Sequence, residues 1–132
     1  MAKVNFPTFE QILAIHHDQI ERYGGSHGIR EIALLESAIF RPQSSFMGDD
    51  LYTDLFDKVA ALMHSLLMNH PFLDGNKRTS MVSGGAFLFL NGYTLKCTQE
   101  ELVETALNIE SKEYGLTELS SWLKEHSIKL RR

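Results

Sequence analysis

Several kinds of residue are scarce in this chain, and each scarcity excludes a class of protein. Cys97 is the only cysteine, which rules out an intrachain disulfide and a cysteine-built zinc site. No stretch of about 20 apolar residues is present, so no segment reads as a membrane-spanning helix. The opening residues, from Met1 to Pro7, lack the apolar run of a secretory signal, and the chain reads as cytoplasmic. Cations are not in excess either: 13 Lys and Arg stand against 17 Asp and Glu, a formal net charge of −4. Duplex nucleic acid, whose phosphates demand cations, is thereby a poor partner. The basic end at Lys129, Arg131 and Arg132 is too short to reverse that. With three prolines and no low-complexity tract, disorder is not expected. What remains is a 132-residue chain, 43% apolar and 23% charged, sufficient for one domain with a real core.

Helical signals run almost end to end, so the expected fold is all-α, a compact bundle of about six helices in a single domain over residues 1–132. Thr8 and Gln11 form a capping box at the first start, and Gly24-Gly25 ends that helix after Tyr23. Phe9, Ile12, Leu13, Ile15 and Ile20 supply its apolar side. A second helix is predicted from about Ile29 to Phe40, with Ile32, Leu35 and Ile39 on one stripe and Pro42 as its stop. Residues 42–52 read as a long exposed loop, either a functional flap or a connector. In the third helix, which begins after Thr53 and runs to Asn69, Leu55, Val59, Leu62, Met63 and Leu66 recur at helical spacing. Its many other small and apolar positions make it central. The fourth runs from Asn76 to Leu90 with Gly84-Gly85 inside it. Each internal glycine costs about 1 kcal/mol relative to alanine, which a tight helix crossing would offset. Tyr93 to Leu95 read as a short extended piece. A second capping box, Thr98 with Glu101, opens a fifth helix to about Lys112, and a short last helix carries Trp122 and Leu123.

Residues 70 to 79, His-Pro-Phe-Leu-Asp-Gly-Asn-Lys-Arg-Thr, concentrate reactive groups between two apolar helices. His70 continues the stripe from Leu66, and Pro71 ends the helix behind it, which predicts an imidazole on the interior side. A core histidine satisfied by backbone is the plain alternative. Asp74-Gly75-Asn76 is a turn leading directly into the fourth helix. The free amides at that helix start, with its dipole, favour an anion. Lys77, Arg78 and Thr79 share the same first turn. Two cations there oppose the dipole unless an anion is bound; otherwise they are ordinary solvated side chains. Asp74 can serve as a cap, or as the carboxylate that Mg²⁺ uses beside phosphate oxygens. His70 can act as general base, and Phe72 is an anchor for the loop. The P-loop, the kinase catalytic loop and the paired histidines of metalloproteases are all absent. His16, His17, His27, His64 and His126 show no ligand spacing.

The stretch His70-Pro71-Phe72-Leu73-Asp74-Gly75-Asn76-Lys77-Arg78 resembles the signature of the Fic/Doc superfamily, and its Doc (death on curing) toxin branch most closely. Gly28-Ile29-Arg30-Glu31 and the segment from Leu34 to Gln43 are also similar to Doc proteins. The resemblance implies a helical bundle with the motif between two central antiparallel helices. It implies His70 as base, Asp74 as the Mg²⁺-linked carboxylate, Gly75 and Asn76 as shapers of an anion hole, and Lys77 and Arg78 as phosphate binders. It makes residues 42–52 a flap that aligns the target peptide. It further implies a type II toxin with ATP as substrate and Mg²⁺ as cofactor. The toxin would phosphorylate a threonine of elongation factor Tu, stop translation, and be restrained by an antitoxin with a disordered tail. An apolar groove for that tail is expected on the first and last helices.

Two positions depart from the AMP-transferring Fic pattern. Lys77 stands where those proteins carry glycine, and Met81 stands where they carry a second arginine. Both favour γ-phosphate transfer over adenylylation. A Fic-type adenylyltransferase and a catalytically silent antitoxin-binding module remain the alternatives, with metal-dependent hydrolysis a weaker third. Ser121 and Glu125 match the spacing of the inhibitory helix found in some Fic proteins. His126 follows where glycine or asparagine belongs, so the pair is read as surface polar residues.

Overall fold

Local signals set most helix boundaries. In the computed structural model, which describes residues 3–131, α1 spans Phe9–Tyr23 and α5 spans Gln99–Glu110. Each starts at the predicted capping box: Thr8 Oγ1 accepts from the Gln11 amide at 3.1 Å, and Thr98 Oγ1 from the Glu101 amide at 3.1 Å. Each N3 side chain returns the bond to the cap amide. α1 ends at Gly24, whose φ of 86° suits glycine. α5 stops at Glu110, two residues short of the expected Lys112.

At the centre lies α3 (Leu55–Asn69), capped by Asp54 and buried along Val59, Ala60, Ala61, Leu62, Met63, Leu66 and Leu67. α4 (Asn76–Leu90) runs back along it with the predicted boundaries. Only one of the two internal glycines serves the crossing. A Cβ on Gly84 would overlap the Met63 sulfur, whereas one on Gly85 meets nothing within 4 Å. Gly84→Ala is therefore expected to lose about 1–3 kcal/mol from overpacking. Gly85→Ala should gain about 1 kcal/mol from helix propensity. Thermal melts of the two variants should move in opposite directions.

α2 (Ile32–Phe40) begins three residues later than its pattern suggested. Ile29 is drawn instead into a β-bridge with Phe72, and the Arg30 and Glu31 amides donate to the Pro71 carbonyl. Ile32, expected on the buried stripe, is 47% exposed, while Leu35 and Ile39 are buried.

The segment 42–52 is built rather than loose. After a 3-10 turn at Arg41–Gln43, β1 (Ser45–Phe46) and β2 (Asp49–Asp50) form a hairpin around Met47-Gly48, both at positive φ, as a tight hairpin turn requires. Its base is tied to α3. Lys58, 4% exposed, donates to Asp50 Oδ2 at 3.1 Å and to the Tyr52 carbonyl. Arg41 donates to the Tyr52 hydroxyl and to Ser65 Oγ, both at 2.7 Å.

His64 faces this anchor, with Arg41 Nη1 at 3.3 Å from its Nδ1. Burial first, and the Arg41 charge second, hold its pKa below the usual 6.5. The unfolded chain therefore binds the proton more readily. The stabilising contribution is fully present above about pH 6.5 and is lost as pH falls through the lowered folded value. The melting temperature should drop between pH 7 and 5, with a shallower slope in His64→Gln.

α6 (Leu116–His126) packs on α3. The chain then turns into β4 (Ser127–Lys129), which pairs antiparallel with β3 (Tyr93–Leu95), Thr94 opposite Ile128. Arg132 lies outside the described residues. No helix among the described residues is long and apolar enough to cross a membrane.

Candidate functional site

The loop between α3 and α4 is shaped by segments distant in sequence. His70 ends α3 in the left-handed conformation, φ 48° and ψ 56°. That single backbone turn takes the side chain off the apolar stripe, so His70 is exposed rather than interior. Its ring makes no hydrogen bond among the described residues. Its carbonyl is held by Arg30, whose Nε donates at 2.6 Å while Nη2 donates to the Asn69 carbonyl at 2.8 Å. Arg30 thus satisfies the open end of α3. The Leu73 amide donates to the Gly28 carbonyl at 3.1 Å, so residues 28–31 act as a strap along 70–73.

Phe72 is 1% exposed and anchors the loop as expected. Asn76 closes it: Oδ1 accepts from the Phe72 amide and Nδ2 donates to the Phe72 carbonyl, both at 3.0 Å. The Asn76 side chain therefore shapes the turn from behind. On the other side of the Phe72 ring lies His16 of α1, stacked with ring centroids 3.8 Å apart and planes 7° apart. Its Nε2 donates to the Asp74 carbonyl at 2.8 Å. Burial keeps the pKa of His16 below the ordinary imidazole value, with the Asp74 carbonyl pulling the other way. Lack of ligand spacing gave no hint of this contact, because α1 meets the loop only in the folded chain. Arg30 likewise carried no local sign of its capping bonds.

Gly75 stands at the N-cap of α4 with φ 77°, and no side chain among the described residues caps the helix. A Cβ there would come within 3.1 Å of Ile20 Cδ1 and be strained at that φ. The first-turn amides of α4 are thus left for an outside acceptor. Asp74 is exposed, and its Oδ2 accepts from the Ser26 amide at 2.8 Å, which leaves Oδ1 for another bond. No group of three or more His, Cys, Asp or Glu is gathered for a metal among the described residues. One carboxylate beside an anion site suits Mg²⁺, which completes its shell with phosphate oxygens and water.

The two cations are not free side chains. Lys77 Nζ lies 3.0 Å from Glu110 Oε1, both half-exposed, a pair worth little in water that an incoming phosphate can displace. Arg78 donates to the Gln19 carbonyl at 3.3 Å and the Gly24 carbonyl at 3.0 Å, and its guanidinium lies over the Tyr23 ring. It closes the C-terminal end of α1 while keeping its charge beside the start of α4. Both cations also line a cleft of about 420 Å³ between α1, α4 and α5, walled by Met81, Val82, Val103 and Leu107. Ser121 and Glu125 are exposed on α6, and neither makes a hydrogen bond or ion pair to loop 70–78 among the described residues.

Residues 6–88 match the Fic/DOC family. The Toxin Doc of Mycolicibacterium smegmatis is 45% identical over 73 residues, 55% of this chain and 56% of that protein. The Protein kinase doc of Escherichia phage P1 is 30% identical over 115 residues, 87% of this chain and 90% of that protein. The chain thus spans a little over half the length of the first relative and most of the second. The chain belongs to the Fic/DOC family, on its Doc side.

Proposed function

We propose that this protein is the toxin of a type II toxin–antitoxin system, a kinase that moves the γ-phosphate of ATP onto a threonine of elongation factor Tu and so blocks translation. The observation that carries this reading is a helix start at Gly75 with no side-chain cap and, at the other end of the same short loop, the exposed imidazole of His70 with no hydrogen-bond partner, both among the described residues. The amides of α4, with Lys77 and Arg78, bind the phosphates. Asp74 would hold Mg²⁺, which would supply positive charge to offset that of the phosphates. His70 takes the proton from the acceptor hydroxyl. That oxygen bonds to the γ-phosphorus as the bond to the β,γ-bridging oxygen breaks, and ADP leaves. The hairpin at 45–50 offers exposed Phe46 and Met47 to align the acceptor segment.

Kinase chemistry is favoured over AMP transfer by the two departures in α4. Met81 is buried at 5% exposure, so its position contributes no second cation, and Lys77 carries a full side chain at the helix start. The relative named a protein kinase points the same way. We assign the antitoxin tail to the cleft between α1, α4 and α5. Its lining comes from α1, α4 and α5. An occupant there would meet Lys77 and Arg78 from behind.

The test uses purified protein, Mg²⁺, elongation factor Tu and ATP labelled at either the α- or the γ-position. Label on a threonine from the γ-position alone is expected. Label from the α-position would establish adenylylation. No transfer from either, with normal growth of expressing cells, would leave a silent antitoxin-binding module.

A further inference from the structure

We propose that His16 is a positioning residue for this site: its Nε2–H, bonded to the Asp74 carbonyl, and its ring, stacked on Phe72, fix the turn that presents the Asp74 carboxylate and the open amides of α4. The proposal rests on the phosphate-transfer reading for its kinetic arm only.

The geometry is specific. The hydrogen bond of 2.8 Å reaches the carbonyl immediately before Gly75. The peptide joining Asp74 to Gly75 is trans and planar, so its N–H points opposite to its C=O. Drawing the Asp74 carbonyl toward α1 therefore turns the Gly75 amide away from α1. Gly75, next in the chain, takes a positive φ of 77°. The stacked ring removes the other freedom, because Phe72 is clamped on its main chain by Asn76 and on its side-chain face by His16. His16 is 4% exposed and spends Nε2 on a main-chain carbonyl, so it orders the site and does not touch substrate.

Chemistry explains why the residue is a histidine. Phenylalanine could reproduce the stack but would leave the Asp74 carbonyl without its donor. Glutamine could supply a donor at similar reach but only a small planar amide against Phe72. The rest of α1 supports the same loop: the Gln19 and Gly24 carbonyls hold Arg78, and the Ser26 amide just beyond holds Asp74 Oδ2. Of these contacts, the one from His16 acts on the peptide that opens α4.

The experiment compares the full chain with His16→Phe and His16→Gln, in two readouts. Kinetically, the Phe variant is expected to melt cooperatively yet lose kcat by about 10–100-fold, as supporting partners of a reactive site commonly do. KM for ATP should change far less, and the Gln variant should recover most of kcat. Spectroscopically, nitrogen NMR of the wild-type protein should show His16 protonated at Nε2 and bare at Nδ1. The amide signals of Gly75, Asn76 and Lys77 should move in the Phe variant and return toward wild type in the Gln variant. A Phe variant with wild-type kcat, a folded Gln variant as impaired as Phe, or a proton on Nδ1 alone would overturn the proposal. If the wild-type protein transfers no phosphate, the functional reading fails by itself. The NMR arm then decides alone, and unmoved amide signals in the Phe variant would sink the positioning role. Should the Phe variant not fold, the ring tautomer together with the Gln variant's amide signals decides in the same way.

Discussion

Alanine at position 70 is expected to slow γ-phosphate transfer by about 10²–10⁴-fold, the usual contribution of a placed general base, while the protein stays folded. The structure separates the two effects. The His70 side chain is exposed and makes no hydrogen bond among the described residues, so its removal costs little packing. The bonds from Arg30 reach the main-chain carbonyls of His70 and Asn69 and survive the substitution. Single-turnover rates at saturating ATP should carry the whole loss, since the base acts on the acceptor. A thermal melt should move by no more than about 0.5 kcal/mol equivalent, as for surface changes generally. A rate within about tenfold of wild type would assign the proton to another group. A collapsed melt would mean that the ring supports the loop after all.

Phe72→Ala should show the opposite pattern, with stability lost first. The ring is 1% exposed, stacks on His16, and belongs to the main apolar core. Truncating a buried phenylalanine costs about 3–5 kcal/mol, a large share of the roughly 5–15 kcal/mol that holds a domain together. Urea unfolding should therefore shift strongly, and activity should fall with it because the turn at Asp74 loses its floor. A cost under about 1.5 kcal/mol, the scale of a minor core change, would show that the loop is shaped by its hydrogen bonds alone.

Where chemistry is written locally, the sequence was readable. The capping boxes at Thr8 and Thr98 and the limits of α4 are short-range patterns, and they fall where expected. The motif residues are contiguous, so the candidate site was visible before any fold. What stayed hidden depends on contacts between distant segments. The late start of α2 follows from Ile29 pairing with Phe72. The strand at Ser127–Lys129 exists because β3 lies beside it. Arg78 and Lys77 looked like solvated cations or phosphate ligands, yet both lean on carbonyls or a carboxylate from α1 and α5. The outward turn of His70 was missed for another reason: one left-handed residue overrides a helical stripe, and periodicity cannot see it.

The strap formed by residues 28–31 has a consequence for the order of synthesis. Among the described residues, every group that bonds to residues 70–74, from His16 and Ser26 through Gly28 and Arg30 to Asn76, precedes the loop or belongs to the first turn of α4, while the partner of Lys77, Glu110, arrives later with α5. A ribosome adds roughly 5–20 residues per second and folds chains from the N-terminal side. The scaffold of the site is therefore already made when the motif appears, and α5, one wall of the neighbouring cleft, comes later. A fragment holding only α3 and α4 would carry the whole motif and none of the strap. It would keep two helices and lose the shape between them.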